Sequence, residues 1–236
     1  MRSLSVLALC LMLAACGPAT EQESLSAADQ AKATALLADY EAARANGSWE
    51  AAETKGDQLR SKYPDSGAAL TLATTAADTQ AKAEATREQR RLRDAWDYQA
   101  VAAEGGGIQR SAALYSRTAV VEEEGQVAPI PDARLVLRDH PSWGRSAYLL
   151  LEQSKFDCGK PCALRIAFDD AEATAWSGKQ ADSGKGPALF INDHEKFGAA
   201  LAAAKQVRIT LPKGSGNIPS LVFDVGGYDA GRYAKP

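Results

Sequence analysis

Two cysteines near the middle of the chain have a spacing at which their side chains can react with each other. Cys158 and Cys162 flank the turn-forming residues Gly159-Lys160-Pro161. A redox pair commonly has two intervening residues at a helix start, whereas a strand-like segment follows here. A structural zinc site requires four ligands, and the chain's two histidines have no paired spacing. In an oxidising compartment we expect a disulfide, which stabilises the turn by about 2 kcal/mol through chain entropy.

The two histidines, His140 and His194, are the candidates for acid–base chemistry. His140 precedes Pro141, which favours an extended loop, and a lone histidine in a loop is usually a surface residue. His194-Glu195 matches the first half of a zinc-protease helix motif, but Gly198 stands where the second histidine belongs. The sequence therefore predicts no metal pair, and it leaves either histidine to act only with nearby carboxylates.

Other common catalytic patterns are missing from the sequence. Asp169-Asp170 is the best acidic pair, but adjacent residues on a strand point to opposite faces, so the pair should end a strand and start a turn. Gly214-Ser215-Gly216 lacks the Gly-x-Ser-x-Gly spacing of a nucleophile elbow and is typical of a loop. No phosphate-binding glycine loop or dinucleotide fingerprint is present. We therefore expect no catalytic residues, no cofactor and no metal.

The amino-terminal residues 1–15 have the three parts of an export signal. Arg2 supplies the positive start, and Leu4 to Ala15 is mostly apolar but too short to span a bilayer. Leu13-Ala14-Ala15-Cys16 resembles the lipobox of bacterial lipoproteins, in which leucine and two small residues precede a cysteine. The resemblance implies removal of the signal peptide and attachment of fatty acids such as palmitate at Cys16. The alternative is an ordinary cleaved signal followed by a chance cysteine.

This resemblance predicts a protein anchored to a membrane by lipid. Each buried methylene of an acyl chain contributes roughly 0.8 kcal/mol, and more than one chain gives stable attachment. Gly17 follows Cys16, where the sorting rule of enteric lipoproteins would need an aspartate for inner-membrane retention. The rule implies the outer membrane, with the protein facing the periplasm. Residues 16–25 are polar and lack periodicity, so we expect a lipidated, flexible tether.

Charge and composition narrow the range of functions and divide the chain. There are 27 Lys and Arg residues, of which Arg2 lies in the leader, against 30 Asp and Glu residues. This mildly acidic balance argues against a nucleic-acid partner. The basic run Arg87 to Arg93 is typical of a solvated helix face, although it could also contact an anionic surface. Alanine is concentrated in the first half, which predicts a helical region at 26–95 and a β-rich region at 96–236.

The first region has helical spacing of its apolar residues. Ser26 to Ala45 should form a helix with a cap at Ser26, and Asn46-Gly47 should end it. Ser48 can cap a second helix, which Pro64 stops. A third helix should start at Asp65 or Ser66 and run to about Asp94. This unit loosely resembles a single tetratricopeptide-type (TPR-like) helical hairpin. The residues that carry the resemblance are Tyr40, Trp49, Ala52 and Pro64. A single copy implies a helical spacer rather than a peptide-binding groove.

The second region has short strand-like runs separated by glycine and proline. This pattern predicts an antiparallel β-sandwich or barrel-like domain, interrupted by one helix at His194 to Lys205 and by glycine-rich loops at 177–186 and 213–217. Ala147 to Leu151 is apolar throughout, so both of its faces should be covered, whereas Ala163 to Phe168 alternates. We expect these two strands to pair as a hairpin with the cysteines at its neck. The predicted strands are Ala113 to Val121, Arg134 to Arg138, Ala147 to Leu151, Cys162 to Phe168, Ala188 to Ile191, Gln206 to Leu211 and Ile218 to Val225.

From Trp96 onward the chain resembles a family of uncharacterised proteobacterial envelope proteins. The resemblance covers about the last three-fifths of the chain and implies a fold but no activity. The residues that carry it are Trp96, Tyr98, Phe156, Cys158, Cys162, Arg165, Phe168-Asp169-Asp170 and Phe190-Ile191.

Two classes of function remain. The first is a non-catalytic lipoprotein whose β-rich domain binds a protein or another envelope component. It is favoured because the common catalytic patterns are missing. The alternative is an envelope hydrolase of unfamiliar type that uses His140 or His194 with nearby carboxylates. The hydrolase hypothesis gains support if either histidine lies in a concave pocket with an acidic residue and a Ser or Thr.

Overall fold

The computed structural model describes residues 25–117, 120–123, 126–129, 133–151, 156, 160–180, 187–211 and 220–233. The leader with Cys16, Cys158 and the predicted loop at 213–217 lie outside the described residues. The structure has the predicted mixed α+β class, with helices and an antiparallel sheet. The chain forms two compact units, Met1–Gln80 and Ala81–Pro236, which are described separately.

The first unit contains α1 (Ala27–Ala45), α2 (Trp49–Lys62) and the start of α3 (Gly67–Asp94). Ser26 caps α1, because its hydroxyl accepts a hydrogen bond from the Asp29 N–H at 3.1 Å. Gly47 follows α1 with a φ of 69°, a conformation that glycine adopts without strain. Ser48 precedes α2 without the expected side-chain hydrogen bond, so its capping role is not realised.

The core of the first unit is built around Tyr40, which is 1% exposed. Its hydroxyl hydrogen bonds with the hydroxyls of Thr75 at 2.8 Å and Thr79 at 2.7 Å, so the buried phenol is satisfied. A Cβ on Gly56 would lie 3.2 Å from Leu72 Cδ1, so the absent side chain lets neighbouring helices pack closely. The buried apolar residues of this core are Ala33, Tyr40, Ala52, Leu59, Ala69 and Leu72.

The second unit contains one nine-stranded antiparallel sheet and a separate two-stranded sheet within the described ranges. In the large sheet the strand order is β1-β2-β5-β6-β9-β8-β7-β10-β11, and β3 pairs with β4. The predicted β-sandwich or barrel-like arrangement is not confirmed, because this sheet is open, with edge strands β1 and β11. The bounds are β1 Asp97–Ala102, β2 Ile108–Tyr115, β3 Val120–Glu123, β4 Gln126–Pro129, β5 Ala133–His140, β6 Gly144–Leu151, β7 Cys162–Phe168, β8 Thr174–Gln180, β9 Ala188–Ile191, β10 Gln206–Thr210 and β11 Leu221–Asp224; the helices are α4 His194–Ala203 and α5 Ala230–Tyr233.

The predicted hairpin of β6 with β7 is wrong. β9 and β8 lie between these strands in the sheet. β7 instead pairs with β8, which follows it after the short turn at 169–173, and β6 pairs with β9. A tight turn makes the next strand the natural partner, whereas the connection from β6 to β7 spans ten residues. The alternation predicted for β7 is confirmed, because Leu164 and Ile166 are buried while Arg165 is exposed.

β8 was missed because its second half falls in the predicted loop at 177–186. Gly178 has the character of a loop residue, but the close packing of the sheet requires it. A Cβ there would lie 2.7 Å from the backbone oxygen of Phe190 and 3.3 Å from Leu164 Cδ1. Glycine within a strand often marks such a close approach. The loop prediction is therefore wrong for Ser177 to Gln180.

The core of the second unit lies against one face of the large sheet. Phe197 and Leu201 of α4 are fully buried on it, and Asp193 caps this helix by accepting a hydrogen bond from the Lys196 N–H. Ala147 to Leu151 of β6 lies within the sheet, as predicted, but only one of its faces is fully buried and the other is half-buried. The inward-facing residues of the central strands include Leu135, Leu149, Leu151, Leu164, Ile166, Leu189, Val207, Ile209 and Phe223.

A charge cluster joins α3, the end of β2 and β11. The Asp224 carboxylate forms salt bridges with the guanidinium groups of Arg117, at 2.6 Å, and Arg91, at 3.0 Å between nitrogen and oxygen. The side chain of Asp224 is 10% exposed. Burial opposes the charged form of Asp224, but the hydrogen bonds from both arginines outweigh it and lower the pKa of this carboxyl. The Arg117 N–H also donates to the Val222 backbone oxygen at 2.7 Å. Arg91 of the predicted basic run thus packs on the sheet, and it also pairs with Glu88.

Candidate binding site

His140 organises the turn between β5 and β6. Its Nδ1 accepts hydrogen bonds from the backbone N–H groups of Ser142 at 3.1 Å and Trp143 at 3.3 Å. Its ring stacks on the Trp143 indole with 3.8 Å between centroids. His140 is 5% exposed and ends β5, so the prediction of an exposed loop histidine is wrong. These contacts give His140 a structural role beside a turn and hold Trp143, which is 70% exposed, in place.

Arg138 is held above three aromatic rings on the outer face of the sheet. Its guanidinium carbon lies 5.2 Å from the centroid of Trp143, 5.4 Å from Tyr148 and 6.0 Å from Phe190. The register places Tyr148 opposite Phe190 and Arg138 opposite Ser146. Burial raises the pKa of the Tyr148 hydroxyl, so this ring stays neutral. Cation–π contacts of this kind fix an arginine without neutralising its charge.

A cavity of about 540 Å³ opens beside this arginine; we call it the basic pocket. None of its lining residues in the described part of the chain is Asp or Glu. Arg145 pairs with Asp139 only at 3.4 Å, and its side chain is 60% exposed. The lining residues with side chains that can hold a ligand include Arg138, Arg145, Ser146, Lys179, Phe190 and His194.

A second cavity, of about 330 Å³, lies between α4 and the carboxyl-terminal segment; we call it the apolar pocket. Gly198, Ala199 and Ala202 on α4 leave the space open because they have little or no side chain. Tyr228 and Tyr233 form the opposite wall. Burial raises the pKa of Tyr228 to about 12, and burial also raises that of Tyr233, so both rings are neutral near pH 7.

The tyrosine wall is fixed by contacts with β1. The Tyr98 hydroxyl accepts a hydrogen bond from the Asp229 N–H at 2.6 Å, and the Arg232 guanidinium lies 4.3 Å from the Tyr98 ring centroid. The Tyr228 ring packs against Trp96 with 5.1 Å between centroids. The wall of the apolar pocket is therefore built into the folded unit.

The two pockets adjoin. Arg145, Ser146 and His194 line both of them. Asp193 caps α4 and thereby fixes His194, the first residue of the helix, at the junction. The Ser146 Oγ and the Arg138 Nε are buried without a hydrogen-bond partner among the described residues. Buried polar atoms normally have partners, so these two cross-strand neighbours mark a place where a ligand can bind.

The structure brings together one set of predicted site residues and separates others. His194 lies in a concave pocket with Glu195 and Ser146, which is the arrangement that favours the hydrolase hypothesis. A catalytic serine, however, should hydrogen bond with its base, and Ser146 Oγ has no such partner in the described ranges. Asp169-Asp170 follow the end of β7 in a turn, as predicted. The Asp169 carboxylate accepts hydrogen bonds from the N–H groups of Lys205 and Gln206, which join this turn to the start of β10.

The cysteine prediction is only partly visible. Cys162 is fully buried and disulfide-bonded. Cys158 lies outside the described residues, so the pairing of Cys158 with Cys162 stays a prediction. No three His, Cys, Asp or Glu side chains are grouped to hold a metal in the described segments. No helix in those segments is both long enough and apolar enough to span a bilayer.

Comparison with known proteins gives no relative for this chain: no family model, curated protein or solved structure matches it. The candidate site therefore stands on its geometry alone. Sequence reasoning missed Arg138, Trp143 and Arg145 of the β5–β6 hairpin, and Lys179 of β8. The one available signal was the alternation of β5, which places Arg134 and Arg138 on the same face.

Proposed function

We propose that this protein is a lipid-anchored component of the bacterial cell envelope whose second unit binds a ligand without catalysing a reaction. The observation that carries the binding role is the pair of adjoining pockets, which share Arg145, Ser146 and His194. Their volumes lie in the range of about 300–1,000 Å³ that is typical of ligand sites. Their cationic, aromatic and apolar linings suit recognition, and the Ser146 Oγ in the described lining has no hydrogen bond with a base.

The anchor in this proposal is the acylated Cys16, followed by the tether at 16–25. The lipobox resemblance supports it, and Gly17 supports the outer membrane with the protein facing the periplasm. The helical unit serves as a TPR-like spacer that can present the second unit to an envelope partner. The expected Cys158–Cys162 disulfide belongs to the same exported state.

Labelling cells with a fatty-acid analogue tests the anchor. We expect label on the wild type and on Cys10→Ser, whose cysteine lies within the predicted leader, but none on Cys16→Ser. Equal labelling of both variants would place the lipid elsewhere. If the enteric sorting rule applies, Gly17→Asp should move the protein from the outer-membrane to the inner-membrane fraction.

Native mass spectrometry of protein released gently from envelopes tests the binding role. A Cβ on Gly198 meets no atom within 4 Å, so Gly198→Phe should fill the apolar pocket while α4 remains intact. Gly198→Ala is the matched control. We expect a bound molecule on the wild type and on the alanine variant, and its loss from the phenylalanine variant. If Gly198→Phe still carried the bound molecule, the molecule would bind elsewhere and these pockets would not be the binding site.

The second candidate is an envelope hydrolase that uses His194 with a nearby carboxylate. The specific observation in its favour is that His194, Glu195 and Ser146 line the same pocket. A fluorophosphonate probe reacts with activated serines and separates the two hypotheses. The binding proposal expects no labelling of the native protein. Labelling that disappears in both Ser146→Ala and His194→Ala would establish the hydrolase instead.

A further inference from the structure

We propose that the two pockets bind a single amphiphile, with its anionic head group in the basic pocket and its apolar body in the apolar pocket. This inference rests on the proposed binding function and specifies its ligand. The head group is a carboxylate or a phosphate, and the body is one short acyl chain or a ring.

The charge of the basic pocket selects an anionic head group. Arg138, Arg145 and Lys179 contribute cationic side chains, and the pocket's described lining contains no carboxylate. Arg138 is oriented by the three aromatic rings rather than by an acidic residue. A guanidinium fixed in this way is weakly hydrated and presents paired N–H donors, which match the oxygens of a carboxylate or phosphate.

The buried polar atoms give independent support. Ser146 lies directly opposite Arg138 in the register of β5 and β6. Its Oγ and the Arg138 Nε both lack a partner among the described residues. A buried hydroxyl without a hydrogen bond is destabilising, because nothing offsets its loss of contact with water. An oxyanion at this position would accept a hydrogen bond from Ser146 while it neutralises the arginine.

The composition of the apolar pocket selects an apolar body and orients it. Leu137, the small residues of α4 and the two tyrosine rings offer apolar surface. Glu195 also lines this pocket, so a negative head group is repelled from it toward the cations. The cavity of about 330 Å³ equals roughly eleven water volumes at about 30 Å³ each, which suits one short chain or ring rather than a two-chain lipid.

The two pockets share three polar lining residues, Arg145, Ser146 and His194, near the start of β6 and the start of α4. The proposed ligand runs past these side chains from one pocket to the other. The carbon next to the head group would lie here. Two separate ligands, one in each pocket, would bind equally well if the pockets shared no lining residues, whereas a single amphiphile needs the pockets to adjoin.

Isothermal titration of the mature chain from residue 16, carrying Cys16→Ser to remove only the anchor, tests the inference. The probes are dodecanoate, dodecyl phosphate and dodecanol, together with acetate and inorganic phosphate as isolated head groups. We expect dodecanoate or dodecyl phosphate to bind at least about tenfold more tightly than dodecanol, because each charged hydrogen bond contributes 1.5–3 kcal/mol. The tighter of the two anionic probes identifies the head group.

Variants assign each part of the ligand to its pocket. Arg145→Gln with Lys179→Gln should weaken the anionic probes about tenfold more than it weakens dodecanol. Gly198→Phe should weaken all three dodecyl probes, whereas Gly198→Ala should not. Arg208→Gln, an exposed arginine on β10, is the charge control and should change nothing. Thermal unfolding of each variant establishes that it is folded.

The outcomes separate this inference from the binding function on which it rests. Equal affinity for dodecanol and the anionic probes would overturn the inference, and so would an anionic preference that survives the double variant. If no dodecyl probe binds while native mass spectrometry detects another molecule in the pockets, the inference fails and the binding function stands. If neither experiment detects a ligand, both fail.

Discussion

The two units differ in how completely they fill their interiors. Beside Tyr40 and Gly56 in the helical unit, the cavity holds only about 10 Å³, and the tyrosine hydroxyl has two hydrogen-bond partners. The second unit has pockets of about 330 and 540 Å³, with Ser146 Oγ and Arg138 Nε unpartnered at their edge. Close packing stabilises a core, whereas cavities of this size can hold a ligand. This difference supports the proposal that the second unit is the one that binds.

Truncating the central tyrosine should have the largest effect. Tyr40→Ala removes a buried ring and its hydrogen bonds with the Thr75 and Thr79 hydroxyls, so the helical unit should lose about 3–5 kcal/mol. Tyr40→Phe is the matched control and should lose about 1 kcal/mol. Calorimetry measures both. The contrast between the units would break if Tyr40→Ala abolished ligand binding while the second unit stayed folded.

Removing the charge of Asp224 should destabilise the second unit by about 3 kcal/mol, because Arg117 and Arg91 would lose their shared acceptor. Folding lowers the pKa of Asp224 below the value of about 3.9 that it has in the unfolded chain, so the ionised carboxylate stabilises the fold above that pH. This stabilisation is lost as the pH falls through the pKa of the folded state. Asp224→Asn should therefore flatten the acid limb of stability below about pH 4. Denaturant unfolding at several pH values measures the acid limb, and Asp170→Asn, at an exposed position, is the control. An unchanged acid limb in Asp224→Asn would show that this charge cluster does not contribute to stability at low pH.

Replacing the turn histidine should have a moderate effect that reaches the basic pocket. His140→Ala removes the acceptor for two backbone N–H groups and the stacking partner of Trp143, at a cost of about 1–2 kcal/mol. His140→Asn keeps an acceptor and should recover part of the loss. Indole fluorescence anisotropy should fall in the alanine variant as Trp143 loosens. Unchanged anisotropy would show that the stack does not hold the pocket wall.

A surface ion pair of the helical unit should have the smallest effect. Lys55 and Asp39 lie 2.7 Å apart, with 38% and 56% of their side chains exposed. Solvent screens such pairs, so Lys55→Ala should leave the unfolding midpoint unchanged within error. Set beside Asp224→Asn, this variant sharpens the contrast between an exposed pair and a sheltered one. A clear loss of stability would mean that the helical unit depends on charge as well.

Local signals account for the elements that the sequence predicted well. Asp193 and the spacing of Phe197 and Leu201 place α4, because a cap and a helical face lie within a few residues of each other. The choice of strand partners depends on the whole sheet, so Leu149 and Leu164 gave no indication that β9 and β8 would lie between them. Gly178 misled because a close approach and a loop favour the same residue.

The candidate site was largely invisible for the same reason. His194 was recognised as a residue able to do chemistry, but its neighbours come from β6 and from the carboxyl-terminal segment. Arg138 and Phe190 belong to strands that meet only through β6. Charge and aromaticity can be read in each segment, whereas the pocket arises from strand order.

The open sheet also affects how readily this protein can aggregate with other chains. Among the described strands the sheet ends at β1, so the main-chain groups of Asp97–Ala102 that do not pair with β2 can template a foreign strand. The strand is six residues long, and Asp97 places a charge at its start, paired with Arg134. A short edge strand and a charged residue at its start both disfavour pairing with another chain. These two features therefore lower the tendency of the protein to aggregate through this edge at high local concentration.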